Sequence, residues 1–211
     1  MPELKLPKTP DLKLERKLAK RVGKLIAGVD EAGRGPWAGR VVTAAVILEP
    51  KNIPAGLNDS KKLSEARREA LYGEICEAAH VGICLASVQR IDDTNIRAAT
   101  LWAMTRAVLA LPMRPDGILI DGRDVPSGLP SEGESVIKGD ARSQSIAAAS
   151  IVAKVTRDRL MLRLAELFPD YGYESHKGYG TAAHAEALDL HGVTKHHRQS
   201  FRPIRERLEQ S

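Results

Sequence analysis

The stretch that most limits what this chain can become is Ile146-Ala-Ala-Ala-Ser-Ile-Val-Ala153, a run of small and branched apolar residues. It lies within a segment, from about Arg142 to Leu167, that has helical periodicity. A helix faced with such residues can lie closer to a β-sheet than one faced with Leu or Phe. A sheet is therefore required, and apolar runs at Leu25–Glu31, Val41–Leu48, Val81–Val88 and Gly117–Asp121 supply its strands, with a shorter strand expected at Val136–Lys138. The first two are expected to pair like a hairpin. The spacing also predicts a helix capped by Ser64, with Leu71, Ile75 and Ala78 on its buried stripe, and another from Asp92 or Asp93 to about Leu109. Leu160, Leu164 and Leu167 are expected to continue the stripe of the long helix. Gly122–Ser135, with two prolines and two further glycines at 128 and 133, reads as loop. Strands alternating with helices predict an α/β domain.

Length and charge bound the rest. With 211 residues and 43% hydrophobic content the chain can bury one sizeable core. The net charge of +5 is concentrated at the start, where residues 1–24 hold eight lysines and arginines against three acids. Residues 1–24 are expected to be a mobile basic arm, and 25–211 one domain whose end, from about residue 168, is a helical extension. No apolar run is long enough to cross a membrane, and the N-terminus lacks the apolar stretch of a secretory signal, so a cytoplasmic protein without a membrane partner is expected. Cys76 and Cys84 have neither zinc-site spacing nor the density of a disulfide scaffold and are expected to be ordinary buried thiols in a reducing compartment.

Four acids carry the chemistry. Asp30 and Glu31 precede a glycine-rich turn, Asp121 follows Ile118-Leu-Ile120, and Asp140 follows Ile137-Lys-Gly139. An ionised carboxylate at the edge of a core costs several kcal/mol unless it is paired or metal-bound, on the order of the desolvation penalty for a buried ion. Any one of them can simply end a strand in solvent; four together point to a shared site. If they converge, repulsion raises their proton affinity and a divalent cation relieves it. Oxygen-only donors suit Mg²⁺ or Mn²⁺ rather than zinc. Strand alternation sends Asp30 and Glu31 to opposite faces, so the turn is expected to redirect Glu31.

The turn itself, Gly33-Arg34-Gly35 and on to Gly39, admits a rival reading. Its spacing is one residue too long for the usual dinucleotide fingerprint, Pro36 interrupts it, and the adjacent acids would repel a metal-free pyrophosphate. Neither a Walker-type loop nor a Gly-x-Ser-x-Gly elbow is present. The turn is better read with the acids, its amides forming an anion-holding concavity.

Taken in order, these segments resemble the ribonuclease HII family. Gly28-Val-Asp-Glu-Ala-Gly-Arg-Gly-Pro36 is similar to its opening motif, and Asn58-Asp-Ser-Lys-Lys-Leu63, Leu119-Ile-Asp-Gly122, Lys138-Gly-Asp140, Ala147–Asp158 and His176-Lys-Gly-Tyr-Gly-Thr181 to its later ones. The likeness covers about residues 25 to 205. It implies a ribonuclease H-like α/β fold with a mixed central sheet, flanking helices and a C-terminal helical extension. It also implies an endonuclease that hydrolyses the RNA strand of RNA–DNA hybrids and cuts 5′ of single ribonucleotides in duplex DNA. Catalytic and metal-holding roles fall on Asp30, Glu31, Asp121 and Asp140. Gly33, Arg34 and Gly35 fall on the loop that reads the ribose 2′-hydroxyl, and Tyr179 on the tyrosine that meets the sugar beside the junction. Trp37 and Arg40 depart from the family pattern, which expects a smaller apolar residue and a proline.

Lys61, Lys62 and Lys177 are candidate phosphate contacts. His196, His197 and Arg198 read as a solvated basic surface, since adjacent histidines do not readily share one ion. A monomer is expected, with a replication-associated protein as a further partner. The rival classes are another metal-dependent nuclease of the same fold acting on DNA, and a non-catalytic nucleic-acid-binding module.

Overall fold

Gly28 marks a close approach of sheet and helix: a Cβ added there would lie 2.1 Å from the carbonyl carbon of Ser145 and 2.3 Å from the nitrogen of Ile146. The small-residue helix does press against bare strand backbone, and the other elements are arranged around that contact. The computed structural model describes residues 6–210, so the first five residues of the expected arm lie outside it. In chain order the elements are α1 (Lys13–Val22), β1 (Ile26–Ala32), β2 (Val41–Leu48), α2 (Glu65–Ala78), β3 (Ala79–Ala86), α3 (Val88–Asp93) and α4 (Ile96–Leu109). They continue with β4 (Gly117–Asp121), β5 (Glu132–Val136), α5 (Gln144–Leu167), α6 (Tyr173–His176), α7 (Ala182–His191) and α8 (Arg202–Gln210).

The sheet order is β3-β2-β1-β4-β5. β1 and β2 form the expected antiparallel pair, β3 extends it antiparallel, and β4 and β5 add in parallel on the other side of β1. This is a mixed sheet with helices on both faces. One face carries Ala44 and Val46 against Leu71 and Ile75 of α2 and the alanines of α5. The other carries Ala27, Val29, Ile118 and Ile120 against Met104, Ala107 and Val108 of α4. Each fully buried Leu, Ile or Val contributes about 1.5–3 kcal/mol, so these two layers hold the β1–β4 seam rigid.

Several expectations change. Residues 13–22 of the expected arm form a packed helix: α1 buries Leu18 against Ile26, Leu119, Val136 and Ile146. Leu14, Leu18 and Val22 recur every four residues, which gives a basic helix one apolar stripe. Its Glu15 Oε1 accepts from Ser143 Oγ at 2.6 Å and from Ser145 N at 2.9 Å, so a carboxylate sits at the start of α5, where the helix dipole favours it. The helix expected from Asp92 or Asp93 starts later, at Ile96, where Asn95 accepts from Ala98 N to begin α4; before it a separate short helix, α3, capped by Ser87, ends at Asp93. The short strand expected at Val136–Lys138 is instead β5 at Glu132–Val136, while Lys138 is left-handed at φ 54°. Met161 and Leu164 continue the buried stripe of α5, whereas Leu167 is exposed. Cys76 is exposed and Cys84 half-buried, both as free thiols, so neither is the buried residue expected.

Candidate active site

Parallel pairing of β1 with β4 ends at Val29 opposite Ile120, so Asp30 and Asp121, the next residue of each strand, stand at the same level. Residues opposite one another in a sheet share a face, and both acids follow Gly28 and Leu119 onto the α5 side. Glu31 remains within β1, opposite Thr43, so the turn does not redirect it as expected. Its longer side chain supplies the reach: Asp30, Glu31 and Asp121 each bring a carboxylate oxygen within 4.8 Å of the other two.

Asp140 comes from a different device. Lys138 in the left-handed region and the 3-10 turn at Gly139–Ala141 bend the chain back towards β4. There the Gly139 N–H donates to Asp121 Oδ1 at 2.6 Å, and a Cβ on Gly139 would meet Ile146 at 2.6 Å, so the turn needs glycine. The Asp140 carboxylate lies outside the tight trio but within its field. Burial, then the charges of Asp121 and Asp59, push it up to about 6. Burial, then Glu31 and Asp121, hold Asp30 well above the usual carboxylate range. Asp121 is raised mainly by burial, with the Gly139 N–H pulling the other way. Raised carboxylates with oxygen-only donors fit a hard divalent cation, whose charge would replace the protons they otherwise retain.

Beside the acids lies a cavity of about 220 Å³. It is lined by Glu31, Gly33, Arg34, Gly35, Lys61 and Tyr179, with Lys154 and Arg157 in its walls. All three turn residues, Lys61 and the tyrosine therefore converge on one groove. Lys61 loses some proton affinity to burial, but Asp59, Asp140, Asp30 and Asp121 together hold it above its usual value. Lys62 is exposed and does not line the groove, and Lys177 folds back to donate its Nζ to the Glu174 carbonyl.

The turn is built from beneath. Gly33 has φ 93°, and a side chain there would collide with Arg157, whose Nε is 2.0 Å from the Cβ position. Gly39, at φ 85°, lies over Met161 of α5, which also contacts Gly178. Trp37 donates its N–H to the Gly178 carbonyl at 2.8 Å and lies against Gly180, where a Cβ would be 2.1 Å from the indole. The residue that departed from the family pattern thus joins the turn to the segment carrying Tyr179. Arg40 is exposed, and its carbonyl accepts from Arg157 Nε at 3.3 Å.

His197 and Arg198, expected on a solvated basic surface, are instead fully buried, with His196 half-buried beside them. The donors of Arg198 are consumed by carbonyls of the turn, and His197 bonds to Thr194 and His184. Arg157, Arg198, Lys154 and Asp59 are the site residues that sequence reasoning missed. Arg157 lies within the Ala147–Asp158 motif, which was a usable signal; nothing in the sequence around Arg198 distinguishes a buried arginine from a surface one.

Comparison with known proteins fits this geometry. The family model described as Ribonuclease HII matches residues 27–204. The chain belongs to the ribonuclease HII family. A ribonuclease HII from Rhizobium etli is 57% identical over 199 residues, covering 94% of this chain and 87% of the relative. Among solved structures, ribonuclease H2 from Pyrococcus horikoshii superposes with a TM-score of 0.76 at 28% identity, over 88% of this chain and 97% of that one. The RNase HII of Archaeoglobus fulgidus, solved as a complex with PCNA, gives 0.72 at 28% identity, over 84% and 95%. Ribonuclease HII enzymes are metal-dependent endonucleases that cleave the RNA of RNA–DNA hybrids, and the carboxylate cluster at the β1–β4 seam is consistent with that chemistry.

Proposed function

We propose that this chain hydrolyses the RNA strand of RNA–DNA hybrids and also cuts 5′ of single ribonucleotides embedded in duplex DNA, leaving 5′-phosphate and 3′-hydroxyl ends. The observation that carries this reading is the approach of carboxylate oxygens from Asp30, Glu31 and Asp121 to within 4.8 Å of one another. With Asp140 beside them, these are the residues that would hold two Mg²⁺ or Mn²⁺ ions. Such ions, when bound, supply activation of water and stabilisation of charge on the departing 3′ oxygen.

The chain's own residues orient the substrate. Amides of the Gly33-Arg34-Gly35 turn face the ribose 2′-hydroxyl, the one group that separates RNA from DNA at the cut. Tyr179, half exposed with the Arg157 guanidinium 6.0 Å from its ring centre, meets the sugar beside the junction. Lys61 is the phosphate contact best supported by its place in the groove; Lys62 and Lys177 lie outside that lining and would meet only a longer duplex. Residues 25–211 act as one catalytic domain with a helical extension from about 168. The reading extends to a monomer in the cytoplasm, a reducing compartment that the free cysteines suit, and to a replication-associated partner, supported by the PCNA complex of the Archaeoglobus relative. Among the described residues no helix is long and apolar enough to cross a membrane.

The test is cleavage of two DNA duplexes, identical except that one carries a single ribonucleotide, in the presence of Mg²⁺ or Mn²⁺. Cutting 5′ of the ribonucleotide alone is expected. Equal cutting of both duplexes would make the chain a DNA nuclease, and binding without turnover at any metal concentration would make it a binding module.

A further inference from the structure

His197 and Arg198 stand side by side in the sequence, are fully buried, and reach in two directions. Arg198 reaches the glycine turn. Its Nε donates to the Gly39 carbonyl at 3.0 Å, Nη1 to Arg34 at 2.8 Å and Nη2 to Gly33 at 2.5 Å. One planar fork thus engages three carbonyls of a single turn, a match that a point-like ammonium cannot reproduce. In a trans peptide the C=O and the following N–H point in opposite directions. Drawing the Gly33 and Arg34 carbonyls down to Arg198 therefore turns the Arg34 and Gly35 N–H groups away from it. Among the described residues neither N–H donates to another part of the chain.

His197 reaches Tyr179. Its Nδ1 accepts from Thr194 N at 3.0 Å, so in the neutral ring Nε2 carries the proton, which His184 Nε2 at 3.1 Å shares with Tyr173 Oη at 3.0 Å. His184 in turn must carry its proton on Nδ1, which donates to the Tyr179 carbonyl at 2.9 Å. The Tyr179 N–H donates to the His176 carbonyl at 2.9 Å, so its backbone is held at both ends.

We propose that His197 and Arg198 are positioning residues that fix the outward-turned amides of Arg34 and Gly35 and the ring of Tyr179 at one set separation. This rests on the reading above, in which those two elements meet the ribose.

The test uses the full chain with Arg198→Lys, which keeps the charge and loses the fork. His197→Asn keeps the acceptor for Thr194 and loses the reach to His184, while His197→Gln restores a donor at that reach. Turnover and KM are measured on the single-ribonucleotide duplex and on a long hybrid, with Mn²⁺ affinity and thermal melting alongside. For Arg198→Lys, kcat on the single-ribonucleotide duplex should fall by about 10- to 100-fold while KM stays within about threefold, as expected for misplacement by roughly an ångström. Loss on the long hybrid should be smaller and Mn²⁺ affinity unchanged. His197→Gln should retain more turnover than His197→Asn.

A folded Arg198→Lys with wild-type kcat overturns the proposal, as does equal loss on both substrates that tracks the loss of melting temperature. If Arg198→Lys does not fold, the His197 pair decides, and equal activity of the Asn and Gln variants counts against the relay. Wild-type protein that leaves both substrates intact refutes the substrate reading; wild-type protein that cuts beside an unimpaired Arg198→Lys refutes the positioning alone.

Discussion

The carboxylate seam, whose Glu31 lines the groove, and the histidine–arginine support, which holds the turn and the tyrosine segment that also line it, are built on opposite principles. At the seam, Asp30, Asp121 and Asp140 are buried among one another's charges, and each holds its proton more tightly than a free carboxylate does. In the support, His184 and His197 are pulled down to about 4 by burial, and each ring nitrogen that the neutral tautomer offers has a partner. Even Arg198, lowered by burial to about 9, meets carbonyls with every donor group it turns to the glycine turn. One region is held under a mutual repulsion that a bound cation would relieve, and the other is paired without any ligand. Instability is confined to the atoms that must bind, and rigidity to those that must aim.

The largest way to break this contrast is at the seam. Asp30→Asn or Asp121→Asn should lower single-turnover cleavage by about a thousandfold or more, since charge stabilisation at the reacting phosphate is lost. The same variants should melt at a higher temperature than the wild type without metal, because repulsion is relieved; a lower melting temperature would mean that the acids are structural.

Next comes pH. The folded proton affinities of Asp30, Asp121 and Asp140 are raised, so without metal their contribution to stability is present at low pH and is lost as pH rises through the folded value, about 6 for Asp140. Added Mn²⁺ should therefore raise the melting temperature by several degrees, of the size expected for ligand linkage, at pH 7.5 and by much less at pH 5. The support carries the opposite sign. For His184 and His197, folded affinity is depressed, so stability is full above the ordinary histidine value and is lost as pH falls from there towards about 4. Denaturant unfolding of His184→Gln across that range should show a shallower pH slope than the wild type.

Smaller effects sharpen the map of the groove. Tyr179→Ala should lower activity on the single-ribonucleotide duplex by about tenfold and on long hybrids less, the size of one lost stacking contact, with melting unchanged because the ring is half exposed. Lys61→Ala should reduce the salt dependence of duplex binding by about one phosphate contact, and Lys62→Ala by less; equal slopes would place both lysines on the duplex.

The seam was legible in the sequence because four acids fall together at strand ends or turn entries, although each alone could end a strand in solvent, and the small face of α5 demanded the sheet that brings those acids together. Other parts were hidden for physical reasons. β5 is Glu-Gly-Glu-Ser-Val, an edge strand that pairs on one side and faces water, so it carries no apolar signature. Glu31 defied the alternation rule because a long side chain at a strand end is not bound by the face its Cβ takes. α1 was masked by its charge, although its leucines kept helical spacing. His197 and Arg198 were misread because a buried cation satisfied by carbonyls from a turn far away in sequence leaves no local trace.

Helix α5 meets Gly28 through Ser145 and Ile146, the underside of Gly33 through Arg157, and both Gly39 and Gly178 through Met161. One unbroken rod of about 1.5 Å per residue therefore serves as a gauge bar between the seam, the turn and the tyrosine segment. A single residue inserted along that span would rotate everything beyond it by roughly 100°, pulling the arginine from beneath one glycine and the methionine from beneath two others. The spacing of those three elements is thus set by the length of one helix.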